Sequence, residues 1–443
     1  MIRRSRGWQP VAVLGIAGLA LAACGGGDAE TETPDAGTTA EDTAAAAPEP
    51  SDSGSEPAAG SGGGDGTLTI GTLLPETGSL AFLGPPEFAG VDLAIQEINA
   101  AGGVLGQDVA KIDGDSGDTT TDIATQTATR LIGEGVDAIV GAASSGVSFT
   151  VIDQITGAGV VHYSPANTSP DFTDYDDNGL YFRTAPSDVL QGRVLGDLLV
   201  QDGCLDAAVV SLDDPYGTGL TENLVTSLQA GGGDLVADPI LYPEGTDNFS
   251  AQVTQVADSG AECVVLIGFA ETAQIVQEMV AQGLPPSGTP TYFVDGNLSN
   301  YGEDLPAGVL EGSKGTLPGA EASEEFQARL LEVDPELGDF SYAAESYDAV
   351  VTIALAAIAA QSDSGTDIGA ALPDVTRGGE KCTDFAACFA LLEADPAADI
   401  DYDGVSGPIE MSDAGDPTEA TIGIFQYGAD NNYTRVDSLS GTI

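Results

Sequence analysis

Short apolar runs that read as β-strands, each followed by a helical pattern, recur from Thr67 onward and constrain the fold more than any other feature. The first series is Leu68–Leu73, Val109–Asp113, Ala138–Ala142 and Val160–Tyr163. The pattern then restarts with Ala207–Leu212, Leu235–Leu241, Cys263–Ile267 and Thr291–Val294. Between the first two runs, Phe88, Val91, Ile95 and Ile98 share one helical face that stops at Gly102-Gly103, and Asn248–Asp258 and Thr272–Gln282 alternate with strands in the same way. Strands that are apolar throughout must be covered on both faces, as parallel sheets flanked by helices are. The expected class is therefore α/β, with two similar lobes and Arg183–Leu190 as the first crossing between them. Tyr347–Ala359 is the most apolar segment after the N-terminal run; at about a dozen residues it reads as buried packing rather than a membrane span. A Cys-containing loop region and a last strand near Ile422–Tyr427 follow.

Charge removes whole classes of function. The 443 residues carry 70 Asp+Glu against 12 Lys+Arg, a formal charge of −58. Phosphate contacts need cations in quantity, so no nucleic-acid partner is expected. His162 is the sole histidine, which leaves most His-based metal sites and nucleophile–imidazole pairs without their parts. No cofactor, metal or catalysis is expected. With 42% hydrophobic residues the chain has ample material for a core.

The N-terminus reads as an address. Arg3, Arg4 and Arg6 precede an apolar run, Val11–Ala23, too short for a permanent membrane span. It ends in Leu21-Ala22-Ala23-Cys24, which resembles the lipobox of bacterial lipoproteins. That resemblance implies a signal peptide over residues 1–23, diacylation of Cys24, and anchoring to the membrane outside the cytoplasm; an ordinary secretion signal is the alternative. Residues 24–66 hold no large hydrophobic, aromatic or basic residue and ten acids, so they are expected to form a disordered, self-repelling tether. Cys204, Cys263, Cys382 and Cys388 remain, an even set that permits two disulfides in an exported chain. Cys382 and Cys388 could close a short loop, and Cys204 and Cys263 each stand at a strand entry.

Ligands of open parallel sheets bind beyond the carboxyl ends of the strands. After Ala138–Ala142 comes Ala143-Ser144-Ser145-Gly146, and after Val160–Tyr163 comes Ser164-Pro165-Ala166-Asn167-Thr168-Ser169-Pro170. Small hydroxyl residues and open N–H groups at a helix start suit a carboxylate, although each turn alone would read as simple capping. The second series offers Asp213-Asp214-Pro215-Tyr216-Gly217 and Asp295-Gly296-Asn297, a carboxylate and an aromatic face suited to an ammonium.

Taken in order, Gly71–Gly84 (GTLLPETGSLAFLG), Gly90–Gly106 (GVDLAIQEINAAGGVLG), Ala142–Gly146 (AASSG), Ser164–Pro170 (SPANTSP), Asp214–Gly219 (DPYGTG) and Gly404–Pro408 (GVSGP) resemble the branched-chain amino-acid class of ABC-importer substrate-binding lipoproteins, the leucine/isoleucine/valine-binding type. The resemblance covers nearly all of Leu68–Gln426. It implies a two-lobed type I periplasmic-binding-protein fold, with residues 67–185 and 310–405 in one lobe, 186–309 and 406–443 in the other, and three crossovers, the third at Gly404–Ile409. It also implies that Ser145 and Thr168, with the Ala166 backbone between them, hold a ligand carboxylate, while Asp295 holds its ammonium and Tyr216 lies alongside. Phe82, Leu83 and Phe269 fall at lining positions, Leu83 where an aromatic is frequent, Phe269 where tyrosine is, and Asp295 where the acid is ordinarily the longer Glu. The implied function is a monomeric receptor that passes an amino acid, branched-chain or otherwise apolar, to ABC permease subunits. Amide-, urea- or aromatic-acid-binding members of the class, and an extracellular sensing domain, are the alternatives.

Other patterns carry less. Asp399-x-Asp401-x-Asp403-Gly404 with Glu410 matches an EF-hand loop, but Pro396 ends any preceding helix, Pro408 interrupts the loop itself, and a β-type segment follows where the motif needs a helix. Asp174-x-Asp176-x-Asn178-Gly179 lacks the closing Glu, and Gly141–Gly146 lacks the Lys-Ser/Thr of a phosphate loop. His162 lies in or beside a strand, where a structural role is expected.

Overall fold

The computed structural model describes residues 64–302, 304–319 and 322–443; the expected signal segment, Cys24 and the expected tether up to residue 63 lie outside the described residues. The first five strands are β1 (Thr69–Leu73), β2 (Ala110–Ile112), β3 (Ala138–Gly141), β4 (Val161–Ser164) and β5 (Tyr181–Arg183). They form an all-parallel sheet in the order β2-β1-β3-β4-β5. Helices α1 (Gly84–Ala101), α2 (Ile123–Glu134) and α3 (Ser145–Gly157) cover it. Ile139 and Val140 show why the strands are apolar on both faces: Ile139 packs with α2 and α3, Val140 with α1.

The chain crosses through Thr184 and Pro186 into α4 (Asp188–Asp202). The second sheet then takes β6 (Asp206–Leu212), α5 (Pro215–Ala230), β7 (Asp234–Leu235), β8 (Ile240–Tyr242), α6 (Ser250–Ser259), β9 (Cys263–Ile267), α7 (Thr272–Ala281), β10 (Thr291–Phe293) and β11 (Lys314–Pro318). The run expected as one strand over Leu235–Leu241 is split. Its two ends both pair with β6 in parallel, but at different heights, and Pro239 between them has no N–H to give a ladder. The expected boundary at residue 310 also needs correction. β11 pairs with β10 in parallel, so the second lobe runs on to Pro318 before the chain returns.

The return passes α8 (Glu324–Val333) and enters α9 (Ala343–Ala360), which is longer than its apolar run and lies buried against α1. α10 (Gly365–Ala371) and α11 (Phe385–Ala394) pack on it, beside a small sheet of β12 (Glu380–Cys382), β13 (Ile400–Gly404) and β14 (Gly407–Pro408). The third crossing falls later than Gly404–Ile409. β14 folds back antiparallel on β13, and Ile409 and Met411 still belong to the first lobe's core. The chain reaches the second sheet only at β15 (Glu419–Tyr427), which pairs antiparallel with β11 and with the last strand β16 (Tyr433–Thr442). Cys204 is bonded to Cys263 at the entries of the paired strands β6 and β9, and Cys382 to Cys388 in the first lobe.

Arg183, at the end of β5, is fully buried. Its Nε donates to Asp416 Oδ1 at 2.5 Å and one terminal nitrogen to the carbonyls of Asn167 (3.3 Å) and Ser169 (2.7 Å). Its backbone N–H donates to Gly415 O at 3.0 Å. Arg183→Met would leave Asp416 buried and unpaired. Urea unfolding should show a loss of about 3–5 kcal/mol, with Arg183→Lys recovering part of it.

Candidate functional site

Two sets of strand ends meet across a narrow cleft. From the first lobe, Ser144 caps α3 by accepting from Val147 N at 3.3 Å, which puts Ser145 in the first turn. The N–H groups of Ser145 and Gly146 there have no intrahelical acceptor. Ser145 Oγ accepts from Ser169 N at 3.3 Å, joining the two hydroxyl-rich loops. Ser164 Oγ accepts from Ala166 N (3.2 Å) and Asn167 N (2.9 Å), which turns the second loop so that Thr168 faces the cleft. The Thr168 hydroxyl is buried with no hydrogen-bond partner within 3.5 Å among the described residues, and the Asp188 carboxyl is the group it influences.

From the second lobe, Asp214 caps α5 by accepting from Gly217 N at 2.7 Å and so positions Tyr216 in the first turn. The Tyr216 hydroxyl donates to Asp295 Oδ1 at 2.8 Å, and its ring stacks on Phe269 with centroids 5.6 Å apart. Asp295 follows β10 and is 5% exposed. It also accepts from Gln191 Nε2 at 2.9 Å and from the Tyr342 hydroxyl at 2.8 Å. Burial raises its carboxyl above the usual range, and the three side-chain donors work against that rise.

Ser145, Ala166, Thr168, Tyr216, Phe269, Leu83 and Asp295 all line one cavity, joined by Leu80, Ser144 and Tyr342. Phe82 does not. It turns outward into a neighbouring groove with Pro85, Pro86 and Asp339, while its neighbour Leu83 faces the cleft. The cavity has only about 10 Å³ for the centre of a water-sized sphere, so the lobes here are shut. Contacts at the rim agree: Ser79 Oγ and Thr119 N donate to Glu244 at 2.5 and 3.1 Å, and Ser169 Oγ donates to Pro215 O at 3.0 Å.

Three contributors escape the sequence reading. Gln191 and Asp188 stand three apart on the buried face of α4, and an acid and an amide at that spacing on a buried helical face were the available signal. Asp188 N donates to Thr168 O at 2.7 Å, while its carboxylate is fully buried without a hydrogen-bond partner within 3.5 Å. Burial, and then the charge of Asp295, hold it well above the carboxylate range. Tyr342 precedes α9 in a left-handed conformation, φ +58°, and reaches from the first lobe to Asp295 in the second. Nothing in the sequence around it announces that contact.

The motifs set apart from the site are placed elsewhere. His162 is buried, edge-on to Tyr181, and burial lowers its pKa to about 3, which fits a structural role. Asp401, Asp403 and Glu410 do gather, but on a strand and hairpin, and Lys381 Nζ sits among them at 3.2, 3.0 and 3.5 Å. A tethered ammonium already serves as their counter-ion.

Tyr342→Phe removes the hydroxyl that ties Asp295 to the other lobe. The expected result is a loss of about 1 kcal/mol in stability and a more open average shape, read as a larger radius of gyration in small-angle scattering. An unchanged radius would show that the bond does not hold the lobes together.

Residues 67–429 match the model of a family described as periplasmic binding protein. The Leu/Ile/Val-binding protein homolog 3 of Brucella melitensis is 32% identical over 207 residues, 46% of this chain and 54% of that relative's length. Homolog 2 of Brucella abortus is 29% identical over 320 residues, 69% of this chain and 82% of the relative. Among solved structures, a leucine-binding protein of Thermotoga maritima superposes with a TM-score of 0.69 at 20% identity, covering 84% of this chain and 99% of the other. A branched-chain amino-acid transporter substrate-binding protein of Streptococcus pneumoniae, in complex with isoleucine, gives 0.68 at 22% identity, with 85% and 100% covered. A solute-binding protein of R. palustris in complex with benzoate gives 0.68 at 20%, with 85% and 98% covered. The fold is that of the type I periplasmic binding proteins, two α/β lobes joined by three crossings, and the chain belongs to the periplasmic binding protein family.

Proposed function

We propose that this chain is the solute-binding receptor of an ABC importer, held outside the cell membrane by a lipid on Cys24, and that it captures a small amino acid between its lobes. The observation that carries the reading is the pairing across the cleft. Ser145 and the Thr168 hydroxyl stand on one side, the Asp295 carboxylate on the other, and all three line the same cavity. Hydroxyls and open N–H groups suit a ligand carboxylate, and the acid suits its ammonium. Leu80, Leu83 and Phe269 leave apolar surface for a side chain. Neither lobe completes the site, so a ligand that touches both favours closure, and a permease can then read the closed form. The ligand would leave chemically unchanged.

A second reading, an aromatic acid, has one observation in its favour. Asp295 already accepts from Gln191, Tyr216 and Tyr342, which leaves it less dependent on an ammonium, and the stacked Tyr216–Phe269 pair offers an aromatic wall. Calorimetry with leucine, isoleucine, valine, benzoate, acetamide and urea separates the two. Leucine or a close relative should bind, and Asp295→Asn should weaken it by about 100-fold, in keeping with loss of a buried charge partner. Binding of benzoate alone, unchanged by Asp295→Asn, would assign the aromatic acid instead.

A further inference from the structure

A cavity of about 410 Å³ lies at the hinge and shares no lining residue with the cleft. Its walls come from all three connections, Thr184 and Pro186 on the first, Gly319 on the second, and Pro417 on the third. Into it faces Glu345, in the first turn of α9. Glu345 is 4% exposed and also borders a second cavity of about 210 Å³. Its only hydrogen-bonding influence is its own backbone N–H, and no base pairs with it among the described residues. Gly319, at φ +96°, passes so close that a Cβ there would lie 2.1 Å from Glu345 Oε1; the glycine clears room for the carboxyl.

The chemistry of this space points to a cation. Its lining residues include Glu345 and Glu419 and no basic side chain; Arg193, just behind the wall, donates to the Thr442 carbonyl at 3.0 Å. A buried carboxyl without a partner is costly, and a cation that joins it relieves that cost. A bare divalent metal fits poorly. Calcium takes six to eight oxygens, preferably charged ones, whereas this lining brings only two carboxylates, Glu345 and Glu419. Pro186, Pro408, Pro417, Ile409 and Ala420 supply apolar wall for a short alkyl chain.

We propose that the hinge cavity is a second ligand site, which takes a small primary alkylammonium ion with its charged end on Glu345. The walls belong to both lobes and to the segments joining them, so occupancy and lobe angle are thermodynamically linked. The site also titrates. Burial, and then the charge of Asp348 on the same helix, push Glu345 up to about 8. Glu87 from α1 and Tyr342 before α9 are the other titratable groups interacting with it, and Glu419 shares the cavity. Binding requires the ionised carboxylate, so apparent affinity should rise about 50-fold from pH 6 to pH 8, in proportion to the ionised fraction.

The test is calorimetric titration of n-propylammonium chloride into the folded chain, with n-propanol and sodium chloride as controls. Saturable binding of the amine salt alone, with that pH dependence, is expected. Glu345→Gln should weaken it at least ten-fold. Ser440→Phe, at an exposed position of β16 that lines the cavity, should block it by volume and decides the matter if the first variant does not fold. Glu222→Gln, which removes an exposed acid of α5 that lines neither cavity, should leave it unchanged, so that loss of an acid as such is not what the hinge variants report. Absence of saturable binding, its survival in both hinge variants, or its loss in Glu222→Gln would overturn the proposal.

Discussion

The burial of one guanidinium organises the rest of the molecule. Among the described residues Arg183 is the one Lys or Arg side chain that is fully buried, in a chain with only 12 of them. It gathers the carbonyls on either side of Thr168, the hydroxyl of Thr173 and the carboxylate of Asp416 into one cluster. The loop is thereby fixed at both flanks, so Thr168 is held to the cleft by the fold itself. The same guanidinium grips the segment just before the third crossing. Geometry at the site and geometry at the hinge are consequently set by a single charge. Its own electrostatic cost is met by a full set of acceptors, the condition under which a buried ion is tolerated.

Much of this architecture is legible in the sequence because parallel strands leave a strong signature. Cys263–Ile267 is found where the apolar run places it, and Thr69–Leu73 and Val161–Ser164 differ from expectation only at their ends. The hydroxyl-rich half of the cleft is legible for a related reason. Its residues belong to two local turns, and local hydrogen bonding of Ser and Thr to nearby N–H groups is written in short segments. Asp295 and Tyr216 are likewise strand-end residues.

What escapes notice is non-local. Tyr342 meets Asp295 only because the chain returns to the first lobe and starts α9 beside the cleft, a contact across 47 positions. Asp188 and Gln191 sit inside a helix whose pattern merely says buried. β11 is missed since its Lys-Gly-Thr-Leu-Pro sequence has little apolar content; its place comes from neighbours on both sides, one parallel and one antiparallel. The last strand, β16, has the alternating exposure of a sheet edge, and its polar face hides it. Phe82 and Leu83 show the finest limit: adjacent residues point to opposite sides, and one residue of alignment decides which lines the cleft.

The near absence of space between the shut lobes has a thermodynamic corollary. A molecule seeking entry competes with the protein's own aromatic and aliphatic groups for the same volume. Whatever fraction of copies stands parted sets the ceiling on capture, and observed affinity equals intrinsic affinity scaled by that fraction. Discrimination among solutes can therefore be tuned far from the residues they touch, by altering how readily an empty receptor folds in on itself.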